Sequence, residues 1–257
     1  MGMGSFMTDS LGLHRYRRIV VLTGAGISAA SGLPTFRGPD GLWERPDGPG
    51  PSGLDAAALE ENPAAVWEFC AKLREAVRSA APNAAHMALA AAERALPAEA
   101  TLTIITQNID SLHQRAGSRN VIELHGSLAR TRCTRKECSS TPFDDPHPSP
   151  TMPTCEACGC PLRADVVFFG EEIPAEAEWH SKRALRECDL FVAIGTSGTV
   201  SPASNFVRAA EFARARTVLV NLTPMQPRHP AYDEELLGRA EELVPVLFGV
   251  DGETESA

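Results

Sequence analysis

The chain has 257 residues, 43% of them hydrophobic and 6% aromatic, with 24 Lys plus Arg against 33 Asp plus Glu and seven Cys. This length and composition fit one large domain, or a large one carrying a small one, and exclude collagen-like, wholly disordered and disulfide-scaffold chains. A net charge of −9 argues against a protein whose main task is gripping phosphate backbones, and an odd cysteine count forbids complete pairing within the chain.

Residues 1–12 and 251–257 read as frayed tails. Arg15, Arg17 and Arg18 ahead of IVVLTGAGISAA imitate a secretory signal, but Thr23, Gly24, Gly26 and Ser28 interrupt the apolar stretch. No apolar run approaches the roughly 20 residues that span a bilayer, so we expect no membrane partner and a cytoplasmic address. The short β-branched runs RIVVLT (18–23), TLTIIT (101–106), DLFVAIG (189–195) and TVLVNL (217–222) predict strands buried on both faces. Between them, 62–80, 83–96, 174–188 and 202–215 predict helices, with N62-P63 and Asn83 as starts. Strands alternating with helices imply an α/β fold: a Rossmann-like parallel sheet with helices on both faces, plus a small zinc-ribbon and helical domain. We assign 13–37, 98–127 and 166–250 to the large domain, 38–97 to a loop and helical insertion, and 128–165 to a metal module. Within the insertion, the Gly- and Pro-rich stretch 37–54 reads as a long functional loop.

The first strand runs into Gly24-Ala25-Gly26-Ile27-Ser28-Ala29, a G-x-G-x-x-A pattern. Glycines there let a backbone approach a pyrophosphate and the helix start offers N–H groups, although a turn that merely packs helix on strand reads the same way. Gly32 and Pro34 cut the helix short, so the usual acidic ribose ligand on a following strand is missing. Asn221, at the end of TVLVNL, is placed to serve instead. Gly195-Thr196-Ser197 ends another strand in the same manner.

In the loop after TLTIIT, Gln107, Asn108 and Asp110 are polar residues that a bland reading makes turn formers and caps. Two histidines follow. His113 reads as a packed residue in a short helix; His125, before Gly126, could accept a proton near neutral pH. Further on, Cys133 and Cys138 have four residues between them, Cys155 and Cys158 two, and sixteen residues separate the pairs. That spacing predicts a tetrahedral, structural Zn²⁺ site, against the alternative of buried free thiols. Cys160 could displace Cys158, but C-x-C makes a poorer knuckle. The basic and acidic side chains of 128–165 cancel, which leaves no electrostatic footprint for direct nucleic-acid binding.

GAGISAASGLPTFRGPDGLW (24–43), TQNIDSLHQRAG (106–117), HGS (125–127), the four-Cys module, LRADVVFFGE (162–171), GTSGTVSPAS (195–204) and VNL (220–222) together resemble the sirtuins, NAD-dependent protein-lysine deacylases. The resemblance covers about residues 15–248. It implies NAD as co-substrate, one structural Zn²⁺ and acyl-lysine proteins or peptides as substrates; the oligomeric state stays open, with a monomer favoured. By the resemblance Gly24, Ala25, Gly26, Ile27, Phe36, Arg37 and Trp43 line the NAD site. Gln107, Asn108, Ile109 and Asp110 hold the nicotinamide ribose and carboxamide. Gly195, Thr196, Ser197, Asn221 and Leu222 take the phosphates and adenosine ribose, and Ala240 the adenine side. Val167, Phe168, Gly170 and Glu171 pair with an extended peptide. His125 is the implied general base, with Asn108 and Asp110 completing the catalytic group.

Thr35, where many sirtuins have Asp, brings the chain nearer in style to the bacterial class III branch, which removes succinyl and malonyl groups. That branch carries Tyr-x-x-Arg on the helix after the loop, and the matching positions here are Cys70 and Leu73, with Arg74 one residue too late. We therefore expect a pocket for neutral acyl chains, acetyl first. Desuccinylase, demalonylase or longer-chain activity, and mono-ADP-ribosyl transfer or NAD hydrolysis on the same scaffold, are the alternatives.

Overall fold

The computed structural model describes residues 10–35, 41 and 55–249. Apart from Gly41, the loop expected at 37–54 lies outside the described residues, as do 1–9 and the C-terminal tail. In chain order the strands are β1 (Arg18–Thr23), β2 (Thr101–Thr106), β3 (Val121–Glu123), β4 (Gly126–Cys133), β5 (Phe143–Asp144), β6 (Leu162–Val166), β7 (Leu190–Ile194), β8 (Arg216–Asn221) and β9 (Glu234–Leu237). The helices are α1 (Ala56–Glu61), α2 (Pro63–Ser79), α3 (Ala84–Ala95), α4 (Leu112–Arg115), α5 (Ala175–Glu187), α6 (Phe206–Phe212) and α7 (Ala240–Leu247). Six strands form a sheet in the order β3-β2-β1-β7-β8-β9, parallel at every pairing. β5, β4 and β6 form a separate antiparallel sheet.

Successive residues of a strand point to opposite faces, and both faces of the large sheet are covered. Ile19, Val21, Ile104, Val192 and Val218 pack against Ala88 and Leu89 of α3 and Val244 and Leu247 of α7. Val20, Leu22, Ile105, Phe191 and Leu219 pack against Leu185 of α5 and Phe206, Val207 and Ala210 of α6. Each fully buried Leu, Ile or Phe contributes about 2 kcal/mol, so these two layers fix the strand ends that carry the site. This is the doubly covered parallel sheet that the uninterrupted apolar runs require.

Asn62 and Asn83 cap α2 and α3 as expected, each accepting a main-chain N–H on its side-chain oxygen. Three expectations need correction. The segment after Gly24 is a 3-10 helix, Ala25–Ser31, closed at Gly32 with φ 83°. The helix expected over 202–215 is a 3-10 turn, Ala203–Asn205, followed by the seven-residue α6. Finally, α3 falls within the insertion expected at 38–97, yet it packs on the large sheet. It is α2 that joins the small sheet, with Val66 and Cys70 against Leu128, Ala164, Val166 and Phe168. Among the described residues, no helix is long and apolar enough to cross a membrane.

Candidate active site and metal centre

The chain leaves β1 for β2 on one side and later returns to place β7 on the other. Ligands of open α/β sheets bind in the crevice at such a switch point, beyond the carboxyl ends of the strands. Gly24 and Gly26 follow β1 there, and Gly195 follows β7. The Gly24 N–H donates to Ile194 O and the Gly26 N–H to Gly195 O, both at 3.0 Å, while Ile27 N–H returns to Gly24 O at 3.1 Å. A Cβ on Gly26 would lie 2.6 Å from Gly195 Cα, and one on Gly195 2.5 Å from Ile27 N. The glycines let two strand-end loops touch, and these three N–H groups are already bonded, which corrects the expectation that they are open to a phosphate.

Beside this contact, Ser28 Oγ donates to Asp110 Oδ2 at 2.7 Å and accepts from Asn108 Nδ2 at 3.2 Å, and Asn108 Nδ2 also reaches Gly24 O at 3.1 Å. Asp110 Oδ1 accepts the Leu112 N–H at 2.9 Å, so it is both a cap and a member of the cluster. Burial raises its carboxyl above the usual range, against the opposing pull of the Leu112 and Ser28 bonds. Gln107 Nε2 donates to Thr196 Oγ1 and Asn221 Nδ2 to Thr196 O, each at 3.0 Å, tying the ends of β2, β7 and β8 together. Ser28 is the residue sequence reasoning passed over. Its only sequence signal is its place in the GAGIS block.

Thr23 Oγ1 donates to Thr106 Oγ1 at 2.9 Å, so His113 must donate from Nε2 to Thr23 Oγ1, also at 2.9 Å. Its pKa is pushed down to about 3 by burial and by His86 beside it, and it is a packed, neutral residue. His125 differs. Its Nδ1 lies 2.9 Å from Gln107 O, and a carbonyl only accepts, so Nδ1 carries the proton and Nε2 keeps its lone pair. Burial lowers its pKa from the ordinary histidine value, the Gln107 bond opposing. A neutral imidazole with a fixed tautomer is suited to general-base work.

A cavity of about 60 Å³ opens between Ser28, Asn108 and Asp110 on its polar side and Ala25, Leu33, Leu73, Val77, Ile109 and Leu128 on its apolar side. Leu73 thus reaches it, whereas Cys70 sits in the packed interior at 2% exposure, its thiol raised to about 11 by desolvation. Arg74 turns the other way. Its Nε donates to Leu128 O at 2.7 Å, and its Nη2 to Arg130 O and Thr131 Oγ1 at 2.8 Å each. After β6, Val167 N–H donates to His125 O at 2.9 Å. Phe168 N–H is bonded to the Glu171 carboxylate at 2.8 Å, and Gly170 has φ 84°. Ser197 and Leu222 are exposed beyond their strands and Ala240 is buried as the first residue of α7. Phe36, Arg37 and Trp43 lie outside the described residues.

The Sγ atoms of Cys133, Cys138, Cys155 and Cys158 lie within 4.8 Å of one another, with Cys133–Cys158 at 3.5 Å and Cys138–Cys155 at 3.7 Å. Four Zn–S bonds of about 2.3 Å set tetrahedrally put sulfurs about 3.8 Å apart, so the set fits the ion. Main-chain N–H groups of Arg135 and Ser140 donate to Cys133 and Cys138 Sγ at 3.4 Å each, closing the first knuckle. Cys160 stays outside the set, as the spacing favoured. Four thiolates leave no open position, which makes such a metal structural.

The model of the Sir2 family matches residues 24–202. An "NAD-dependent protein deacylase" of Pasteurella multocida is 46% identical over 236 residues, covering 89% of this chain and 95% of its own. An "NAD-dependent protein deacylase 2" of Pyrobaculum aerophilum is 44% identical over 233 residues, 90% of each. Among solved structures, a Sir2 homolog in complex with NAD superposes with a TM-score of 0.83 at 39% identity, covering 93% of this chain and 90% of that one. A Sir2 mutant with a deacetylated p53 peptide and 3'-O-acetyl-ADP-ribose does so with a TM-score of 0.79 at 30% identity, covering 93% and 95%.

Proposed function

The chain belongs to the Sir2 family, and from that premise we infer that it is an NAD-dependent protein-lysine deacylase. It consumes NAD and an acyl-lysine protein or peptide and yields nicotinamide, O-acyl-ADP-ribose and free lysine. The observation that carries this reading is the fixed tautomer of His125, held by the carbonyl of the residue that precedes Asn108.

NAD supplies an electrophilic ribose carbon and a nicotinamide leaving group. The protein's part is orientation, exclusion of water and one proton transfer. Asn108 and Asp110, immobilised through Ser28, orient the nicotinamide carboxamide and its ribose. Thr196 and Asn221 take the far half of the dinucleotide, with Ala25 against its near half; the Ile27 side chain, expected there from sequence, is instead fully buried in the core. His125 accepts a proton at Nε2 from a ribose hydroxyl, and its neutral form is the one burial favours. Val167 to Gly170 face the substrate peptide, where main-chain pairing gives affinity with little sequence preference. Zinc, bound by Cys133, Cys138, Cys155 and Cys158, holds the small sheet and takes no part in the reaction.

The acyl pocket takes neutral chains, acetyl first. Leu73, Ile109 and Leu128 line the cavity, and Arg74, the guanidinium next to Leu73, is bonded to β4. Turnover of acetyl- and succinyl-lysine peptides of one sequence tests this. Acetyl should lead by at least about tenfold, the scale of one unpaired buried carboxylate; a succinyl preference would overturn it.

A further inference from the structure

Arg163 of β6 belongs neither to the metal centre nor to the cluster around Ser28, yet it is only 4% exposed. Its Nη1 and Nη2 grip the two oxygens of Glu171 at 2.5 and 2.9 Å. Nη2 also donates to Val166 O at 2.6 Å, and Nε to Ala164 O at 3.3 Å. The guanidinium lies over the Phe168 ring, 4.5 Å from its centroid. Glu171 passes the grip on, because its Oε2 accepts the Phe168 N–H at 2.8 Å while its own N–H donates to Phe168 O at 3.0 Å. The turn 168–171 is thus closed by a carboxylate that is itself clamped.

A buried ion pair is weak evidence for stability, since an apolar pair of similar volume often does as well. An apolar pair cannot, however, hold a main-chain N–H in place. Here the clamp fixes the Phe168 N–H, and the neighbouring Val167 N–H is bonded to the carbonyl of His125. The segment that follows β6 is therefore anchored at Val167 to the base and at Phe168 to the Arg163–Glu171 pair. Arg132 adds a weaker contact to Glu171 at 4.0 Å.

We propose that Arg163 and Glu171 are positioning residues for the acylated peptide: without touching it, they set the shape of the Val167–Phe169 edge along which it lies. This rests on the deacylase reading and moves Glu171 from peptide contact to support. The pair predicts a specific kinetic signature, because NAD is held elsewhere, at the ends of β1, β2, β7 and β8.

The test is steady-state kinetics of the zinc-loaded full chain with NAD and an acetyl-lysine peptide, for wild type, Glu171→Gln, Arg163→Met and Arg163→Lys. The expected result for Glu171→Gln is a rise of about tenfold in the peptide KM, with kcat and the NAD KM within about twofold and melting temperature and zinc content near wild type. Arg163→Met should raise the peptide KM further, and Arg163→Lys should recover part of the loss. An unchanged peptide KM in folded Glu171→Gln overturns the proposal, as does a fall in kcat alone or a Lys variant no better than Met. Failure of Glu171→Gln to fold also overturns it, because the pair is then structural support. A wild-type enzyme that leaves the peptide acylated would instead overturn the deacylase reading itself.

Discussion

His125 donates its Nδ1 proton to the main-chain carbonyl of Gln107 at 2.9 Å, one residue before Asn108. The bond leaves Nε2 as the only basic nitrogen of the ring, and burial lowers the ring's pKa.

The acid limb of kcat/KM follows from that shift. A base whose pKa lies below the ordinary value of about 6.5 is fully deprotonated at neutral pH and is lost only as pH falls through the lowered value. The pH profile with acetyl peptide should therefore be flat near pH 7 and bend below about 6.5. A bend above that point would show that the base is not the buried imidazole.

His86 and His113 make the fold itself acid-sensitive. Their pKa values are pushed down to about 4 and about 3, mainly by burial. The unfolded chain then binds more protons than the folded one below about pH 6.5, so stability is full above that pH and falls as pH drops toward the folded values. At pH 5 the cost is on the order of 2 kcal/mol per histidine. Urea unfolding at pH 7 and pH 5 should show this loss, and a His86→Gln variant should flatten the slope.

The glycine contact gives a paired substitution. Gly26→Ala drives a Cβ into the Gly195 backbone, 2.6 Å from its Cα, and should cost more than about 2 kcal/mol together with NAD affinity. Gly32→Ala meets nothing within 4 Å and carries only the strain of φ 83°, about 1 kcal/mol. Denaturant unfolding of both variants checks the order; equal losses would refute the close-packing account.

Metal removal should unmake the small sheet and spare the large one. Trp67 of α2 packs on Cys133, Cys155 and Leu162, so loss of the ion loosens α2 as well. A strong chelator should release one zinc per chain, abolish deacylation and lower the melting temperature, with most far-UV ellipticity retained. Activity surviving complete zinc release would contradict a structural ion.

What could be read from sequence divides along physical lines. β1, β2, β7 and β8 are buried on both faces, and burial leaves its mark as apolar runs. β9, Glu234–Leu237, sits at the sheet edge with half-exposed acidic residues and has no such mark. α7 escaped notice because Pro245 lies within it. The zinc ligands were legible because knuckle geometry fixes their spacing. Ser28 and Arg163 were not, because their importance lies in partners, Asp110 and Glu171, that only the folded chain brings to hydrogen-bonding distance. Arg74 was open from sequence, one position from a place where it could hold an acyl carboxylate. The fold commits it to the carbonyls of β4.

The most direct test is mass spectrometry of the products formed from NAD and an acetyl-lysine peptide by wild type and by His125→Ala. Wild type should yield nicotinamide, free-lysine peptide and O-acetyl-ADP-ribose in equal amounts, and His125→Ala should lose deacylation by at least about a hundredfold while keeping its zinc. Free ADP-ribose or ADP-ribosylated protein from wild type, with the peptide still acetylated, would contradict the account.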